Sequence, residues 1–348
     1  MRKNNITAAA LALVAVGALS ACSAAPAAVA TQTLTGLGSE SIHVGIAYDS
    51  AGRGDKSFND AAGQGLDRAH KELLVETTEA TAKAETDEGR SATLRELAQG
   101  GSNPVIAVGF LYAGAIGTVS KEFPDTLFAI IDDNSVEAKN VVSLLFSEEQ
   151  GSYLVGVAAA RASKKGRVAF VGGVDVPLIK KFEAGYVAGV HSVDAGIRVD
   201  VRYLSTPPDF SGFGSPDKGK AAAKDLLAGG ADVVYAAAGG SGSGVFEAVA
   251  AVPGAWAIGV DSDQYAGADD AVKPRILTSM LKRVDNGVFQ EIQAFVKGDR
   301  AGGVKRYDLK VDGVGYATSN AAVKPYLAKM DQARYRILDG SVKVPTAP

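Results

Sequence analysis

Apolar positions in this chain cluster in short unbroken runs, separated by longer stretches with helical spacing. Nine runs read as strands, at 42–48, 104–110, 127–132, 141–146, 167–171, 199–204, 231–237, 256–260 and 276–280. Most are apolar on consecutive positions, the pattern of strands covered on both faces. Between them, 57–75, 149–162, 178–191, 218–227 and 284–296 carry the 3.6-residue period of helices. Strand–helix alternation predicts parallel sheets with helices on both faces. More than eight strands in about 300 residues fit two such sheets better than one. At the first helix start, in Gly54-Asp55-Lys56-Ser57-Phe58-Asn59-Asp60, either Asp55 or Ser57 can cap the first turn. Phe58 and Asn59 then stand outside the carboxyl end of the first strand, where open α/β sheets bind ligands.

The N-terminal end has a different pattern. Arg2 and Lys3 precede an uncharged apolar stretch from Ile6 to Leu19, which closes on Ser20-Ala21-Cys22. A basic start, a short apolar run and a small-residue end are the marks of a signal peptide. The run is shorter than the about 20 apolar residues of a spanning helix. Leu19-Ser20-Ala21-Cys22 resembles the lipobox of bacterial lipoproteins. That likeness implies cleavage before Cys22 and a diacylglycerol on its sulfur. Residues 1–21 are thus expected to be removed, and 22–41, small and polar, to form a flexible tether. The body is expected on the outer side of the cytoplasmic membrane.

Composition narrows the function. Removing residues 1–21 takes away Arg2 and Lys3, leaving 34 Lys and Arg against 39 Asp and Glu, a formal charge of −5. That balance gives no electrostatic footprint for nucleic acid. Three histidines and the single cysteine are poor material for a transition-metal site. No metal and no cofactor is expected.

Polar groups recur at strand carboxyl ends. Asp49 ends the first strand, Asp132 and Asp133 a later one, Gly239-Gly240-Ser241 follow another, and Asp261 and Asp263 end the next. Any one alone reads equally well as a cap or loop residue. Together at equivalent ends, the carboxylates suit a ligand rich in O–H and N–H donors, and the glycines allow close backbone approach. Phe58 and Phe213 lie in glycine-containing loops and suit a flat apolar ligand part. Lys282 follows a strand and can donate to a ligand oxygen.

Other motifs fail. Gly214-Ser215-Pro216-Asp217-Lys218-Gly219-Lys220-Ala221 nearly spells a phosphate loop, but Ala221 stands where a Mg²⁺-binding hydroxyl is required. The glycines of 239–244 miss the dinucleotide spacing. No nucleophile elbow leads into a helix with a partner histidine.

These residues together resemble the basic membrane protein family of bacterial lipoproteins, the substrate-binding subunits of ABC importers, and within it the purine nucleoside receptors. The carrying segments include Val44-Gly45-Ile46-Ala47-Tyr48-Asp49-Ser50, Lys56-Ser57-Phe58-Asn59, Glu149-Gln150-Gly151-Ser152-Tyr153-Leu154, Gly259-Val260-Asp261-Ser262-Asp263-Gln264 and Lys282-Arg283-Val284-Asp285. The resemblance covers nearly all of 42–318. It implies the two-lobed type I periplasmic-binding-protein fold, each lobe a parallel sheet flanked by helices, with three hinge crossovers. On that basis 42–148 plus about 262–290 form the N-terminal lobe, and 149–261 plus about 291–348 the C-terminal lobe. It implies no enzymatic activity, a monomer, and delivery of a captured nucleoside to permease subunits. Asn59 and Asp132 would address the base edge; Asp261, Lys282 and the Gly239-Gly240 backbone would address the ribose; Asp49 suits either. Phe58 and the Phe213 position resemble the two rings that sandwich the base. The segment 206–212 looks lengthened against the family, which leaves Phe210 and Phe213 in competition for the second ring. A sugar or other furanose suits the same carboxylates. An extracellular hydrolase of nucleosides or glycosides, and a surface adhesin, are rival readings from other classes.

Overall fold

The structure is a computed structural model, and residues 41–49 and 51–348 are described here. The expected signal peptide, Cys22 and all of the expected tether but residue 41 lie outside the described residues. The first sheet is built by β1 (His43–Tyr48), β2 (Glu76–Thr81), β3 (Val105–Ala107), β4 (Phe128–Ile131) and β5 (Val141–Phe146), with α1 (Phe58–Leu73), α2 (Asp87–Gln99) and α3 (Ala113–Glu122) between them. The chain then passes into α4 (Glu148–Ala162), β6 (Arg167–Val174), α5 (Pro177–Val193), β7 (Arg198–Ser205), α6 (Pro216–Ala228) and β8 (Val233–Ala237). It continues through α7 (Gly242–Ala250), β9 (Trp256–Asp261), α8 (Gln264–Gly267) and β10 (Ile276–Lys282). The last elements are α9 (Val284–Val296), β11 (Gly303–Tyr307), β12 (Val314–Tyr316) and α10 (Leu327–Leu338).

Two six-stranded sheets result, in the orders β11-β5-β4-β3-β1-β2 and β12-β10-β9-β8-β6-β7. All pairs are parallel except β10 with β12. Strands read from continuous apolar runs are central and buried, as in β4, β5 and β8. The strands absent from the pattern are edges. Four of the six residues of β2 are exposed and none is buried, and β11 buries only Tyr307. An edge strand needs no apolar run, because one side has no neighbour to cover it. The run at 104–110 is a shorter strand than expected. It ends at Ala107, and Phe110 begins a turn of 3₁₀ helix after Gly109.

The chain crosses between lobes three times, around Ser147, Arg283 and Asp308. The crossings are tied together: Ser147 N donates to Tyr307 O at 3.0 Å, Arg283 N to Gly313 O at 2.9 Å, and Leu309 N to the Gln150 side chain at 3.0 Å. This corrects the expected lobe boundaries. Residues 262–290 are expected in the N-terminal lobe, yet β10 lies in the second sheet between β9 and β12. Its side chains are buried on both faces, which requires a central position. Residues 291–348 are expected in the C-terminal lobe, yet the edge strand β11 pairs with β5 in the first sheet.

In the second lobe α4 is buried along nearly its whole length. It packs on α5 through glycines, with Gly185 against the Glu149 carbonyl and Gly189 against the Tyr153 carbonyl. There is no room for a methyl group at either. Gly189→Ala is expected to cost about 1–3 kcal/mol through overpacking and to lower the melting temperature by several degrees. A thermal unfolding scan with an unchanged midpoint would disprove this close approach of the two helices.

Candidate ligand-binding cleft

The carboxyl ends of both sheets open onto one cavity. The first lobe contributes Asp49 after β1, Asp55, Phe58 and Asn59 at the start of α1, Phe110 and Leu111 after β3, and Asp132 after β4. The second contributes Leu178, Ile179 and Phe182 of α5, Phe213 before α6, Gly239 and Gly240 after β8, and Asp261 and Lys282 at the ends of β9 and β10. The space between them is about 660 Å³, its open mouth included.

All nine cleft residues expected from the sequence border this single cavity. Several others are not legible there. Phe110 reads as the end of a strand, and Leu178, Ile179 and Phe182 read as the core face of a helix. Asp55 is the helix cap: its carboxylate accepts from the backbone N–H of Ser57, Asn59 and Asp60 at 2.9–3.0 Å. That frees Ser57, whose Oγ donates across the lobes to Asp261 Oδ2 at 2.7 Å.

Lys282 is the cavity's buried cation, its side chain 2% exposed. Nζ lies 2.5 Å from Asp132 Oδ2 in the other lobe and 3.0 Å from Glu148 Oε1 at the first crossing. The rings of Phe58, Phe146 and Phe182 surround it, with centroids 5.1, 5.3 and 5.6 Å away. Glu148 was missed by a helix start placed one residue late. Asp132, expected at a ligand's base edge, and Lys282, expected at its sugar, are thus in direct contact. Their two roles share one ion pair.

Asp132 and Asp261 both sit in the left-handed region, with φ of 71° and 65°, directly at strand ends. Such conformations in residues other than glycine cluster at functional sites. Asn59 Nδ2 donates to Asp49 Oδ1 at 2.7 Å. Asn59 Oδ1 and Asp132 Oδ1 are buried without a hydrogen-bond partner among the described residues.

Between the two candidate rings for the second wall, Phe213 borders the cavity. Its ring packs against Gly173, where any Cβ would overlap it. Gly239 packs under the Phe213 carbonyl with φ of 55°, so close backbone passage there depends on glycine. Phe210 stands farther out, against Phe110. Among the described residues, no cluster of three or more His, Cys, Asp or Glu is arranged to hold a metal ion. No helix among them is long and apolar enough to cross a membrane.

The Bmp family model, described as ABC transporter substrate-binding protein PnrA-like, matches residues 42–347. The chain belongs to this family. It is 32% identical to the ABC transporter nucleoside-binding protein BmpA of Lactococcus lactis subsp. cremoris, over 99% of this chain and 100% of that one. It is 34% identical to an uncharacterized lipoprotein of Pyrococcus furiosus, over 91% of this chain and 78% of the relative. Among solved structures it resembles a solute-binding protein of an ABC transporter system from Aeropyrum pernix K1. The TM-score is 0.76 at 27% identity, covering 88% of this chain and 93% of that one. The Bmp family binds solutes for ABC transporters and is not a family of enzymes.

In this Bmp protein the cleft acids are held in an uneasy state. Burial pushes Asp49 up to about 6, against its hydrogen bond from Asn59. Burial pushes Asp261 up to about 7, against Lys282 and Ser57. Burial also raises Asp132, with Lys282 opposing. For Lys282 burial disfavours the ammonium, but Asp132, Glu148 and Asp261 outweigh it and push its pKa up.

Two outcomes are expected. The folded Asp261 holds its proton to about pH 7, whereas the unfolded residue loses it near 3.8. The folded state therefore binds more protons in that window, and stability falls as pH rises through it. Asp261→Asn, which keeps the left-handed backbone, should raise the ligand-free melting temperature at pH 8 and change it little at pH 4. Equal shifts at both pH values would contradict this. Lys282→Met leaves Asp132 and Glu148 buried without a cation, at a cost of about 3–5 kcal/mol. Adding Asp132→Asn should restore part of that loss, as read from urea midpoints.

Proposed function

We propose that this protein is a lipid-anchored receptor outside the cytoplasmic membrane. It captures a purine nucleoside in the interlobe cleft and delivers it to the permease of an ABC importer. One observation carries the reading: Phe58 and Phe213 from opposite lobes wall a cavity whose unpartnered polar atoms, Asn59 Oδ1 and Asp132 Oδ1, are acceptors. Two rings suit a flat base. Acceptors suit its N–H groups and the hydroxyls of a ribose. An analogue without those donors leaves buried acceptors unpaired, at about 1–3 kcal/mol each.

Asn59 and Asp132 address the base edge, and Asp261, Lys282 and the Gly239-Gly240 backbone address the ribose, with Asp49 available to either. Asp49, Asp132, Asp261 and Glu148 outnumber Lys282, so a phosphate is disfavoured and the ligand is a nucleoside rather than a nucleotide. Ligand touching both lobes favours the closed arrangement by its differential affinity for that state. Leu19-Ser20-Ala21-Cys22 supports the anchor.

The test is a thermal-shift screen of the mature chain carrying Cys22→Ser against nucleosides, nucleotides, bases and pentoses. A nucleoside at a hundredfold excess over its dissociation constant should stabilise the protein by about 2.7 kcal/mol. The matching nucleotide should give little shift, and Phe58→Ala should lose the effect. A pentose that stabilises where no nucleoside does would replace the purine reading with a sugar one.

A further inference from the structure

The ring of Phe110, on the cavity wall of the first lobe, meets the ring of Phe210 from the second lobe edge-on. Their centroids are 6.1 Å apart and the planes cross at 62°. Phe210 itself is not part of the cavity wall, and both residues are half-buried. Phe210 therefore stands outside the space that Phe110 lines.

Topology gives it leverage. The three crossings emerge beside β5, β11, β10 and β12, whereas Phe210 follows β7, the opposite edge of its sheet. A rotation about the crossings moves a point in proportion to its distance from them, so this side of the mouth opens widest. Phe210 also moves with its lobe. Asp209 accepts from Ser211 N at 2.9 Å and from Lys218 Nζ at 3.0 Å. Ser205 Oγ donates to Asp209 O at 2.7 Å and accepts from Gly212 N at 3.1 Å. Ser241 Oγ holds the Gly212 carbonyl at 2.7 Å. The loop is a fixed arm. An aromatic contact at its tip parts without stranding a buried charge, unlike the Lys282–Asp132 pair deeper in.

We propose that Phe110 and Phe210 form an aromatic gate on the hinge-distal mouth of the cleft, and that this gate sets how fast ligand leaves. The gate rests on the reading of the cleft as a ligand site. An edge-to-face pair of this kind is worth about a two- to tenfold change in an equilibrium or rate.

The test uses the full mature chain with Cys22→Ser, which removes the sole native cysteine, and spin labels on Lys121→Cys and Lys224→Cys, one exposed position in each lobe. In the ligand-free protein, Phe210→Ala should lower the ratio of short to long interlobe distances two- to tenfold, with Phe210→Leu in between. Stopped-flow release of inosine should accelerate by a similar factor. An unchanged distance distribution, or unchanged release from a protein whose distances have shifted, overturns the gate. If inosine does not bind the parent protein, release is read with the nucleoside that stabilises it most; if no nucleoside binds, the nucleoside reading fails, whereas an unchanged distance distribution in Phe210→Ala overturns the gate by itself.

Discussion

Everything at the centre of this molecule is arranged around one buried ammonium. Lys282 ends a central strand of the second sheet, yet its charge is balanced by Asp132 from the first lobe and Glu148 from the first crossing. Taking such ions out of water costs several kcal/mol each unless they are paired. The pairing is possible only when the two strand ends face each other. The ion cluster therefore ties the relative placement of the lobes to local electrostatics, and the three surrounding rings keep water from weakening it.

Much of the architecture was readable because buried parallel strands must be apolar on both faces. The runs behind β4, β5, β8 and β9 carry that requirement in their composition. What escaped was whatever sits at an edge or answers to distant partners. β2 is polar because water covers it, and β11 joins the first sheet only because the chain returns to it after the second. No local pattern records that return, which is why the expected lobe boundaries failed at β10 and β11. Of the nine cleft residues, Asp49, Asp132, Gly239, Gly240 and Asp261 were legible because acids and glycines at strand ends have a shared geometric meaning in open sheets, and Phe58, Asn59, Phe213 and Lys282 through their neighbouring loops and the family resemblance. Phe110, Leu178, Ile179 and Phe182 were not, since an apolar residue facing a cavity has the same spacing as one facing a core.

The polar chemistry of the cleft is lopsided. Donors are scarce, and Lys282, Ser57 and the Asn59 amide nitrogen are each already engaged within the protein. Acceptors remain over. That excess of acceptors is cut off from water, and burial accordingly lifts Asp49 and Asp261 toward neutrality. A guest offering donors relieves that excess. Stability of the empty protein and hunger for a guest then draw on the same groups and oppose each other.

The seat of Phe213 reaches further than one wall. Its ring occupies the volume a side chain at Gly173 would otherwise fill, so strand β6 and the loop before α6 share a single allotment of space. A descendant that shrinks the ring can enlarge residue 173 and rebuild the wall from the opposite direction, with a new contour. Positions 173 and 213 are thereby coupled in volume, and the contour of that wall is set by the two together rather than by either alone.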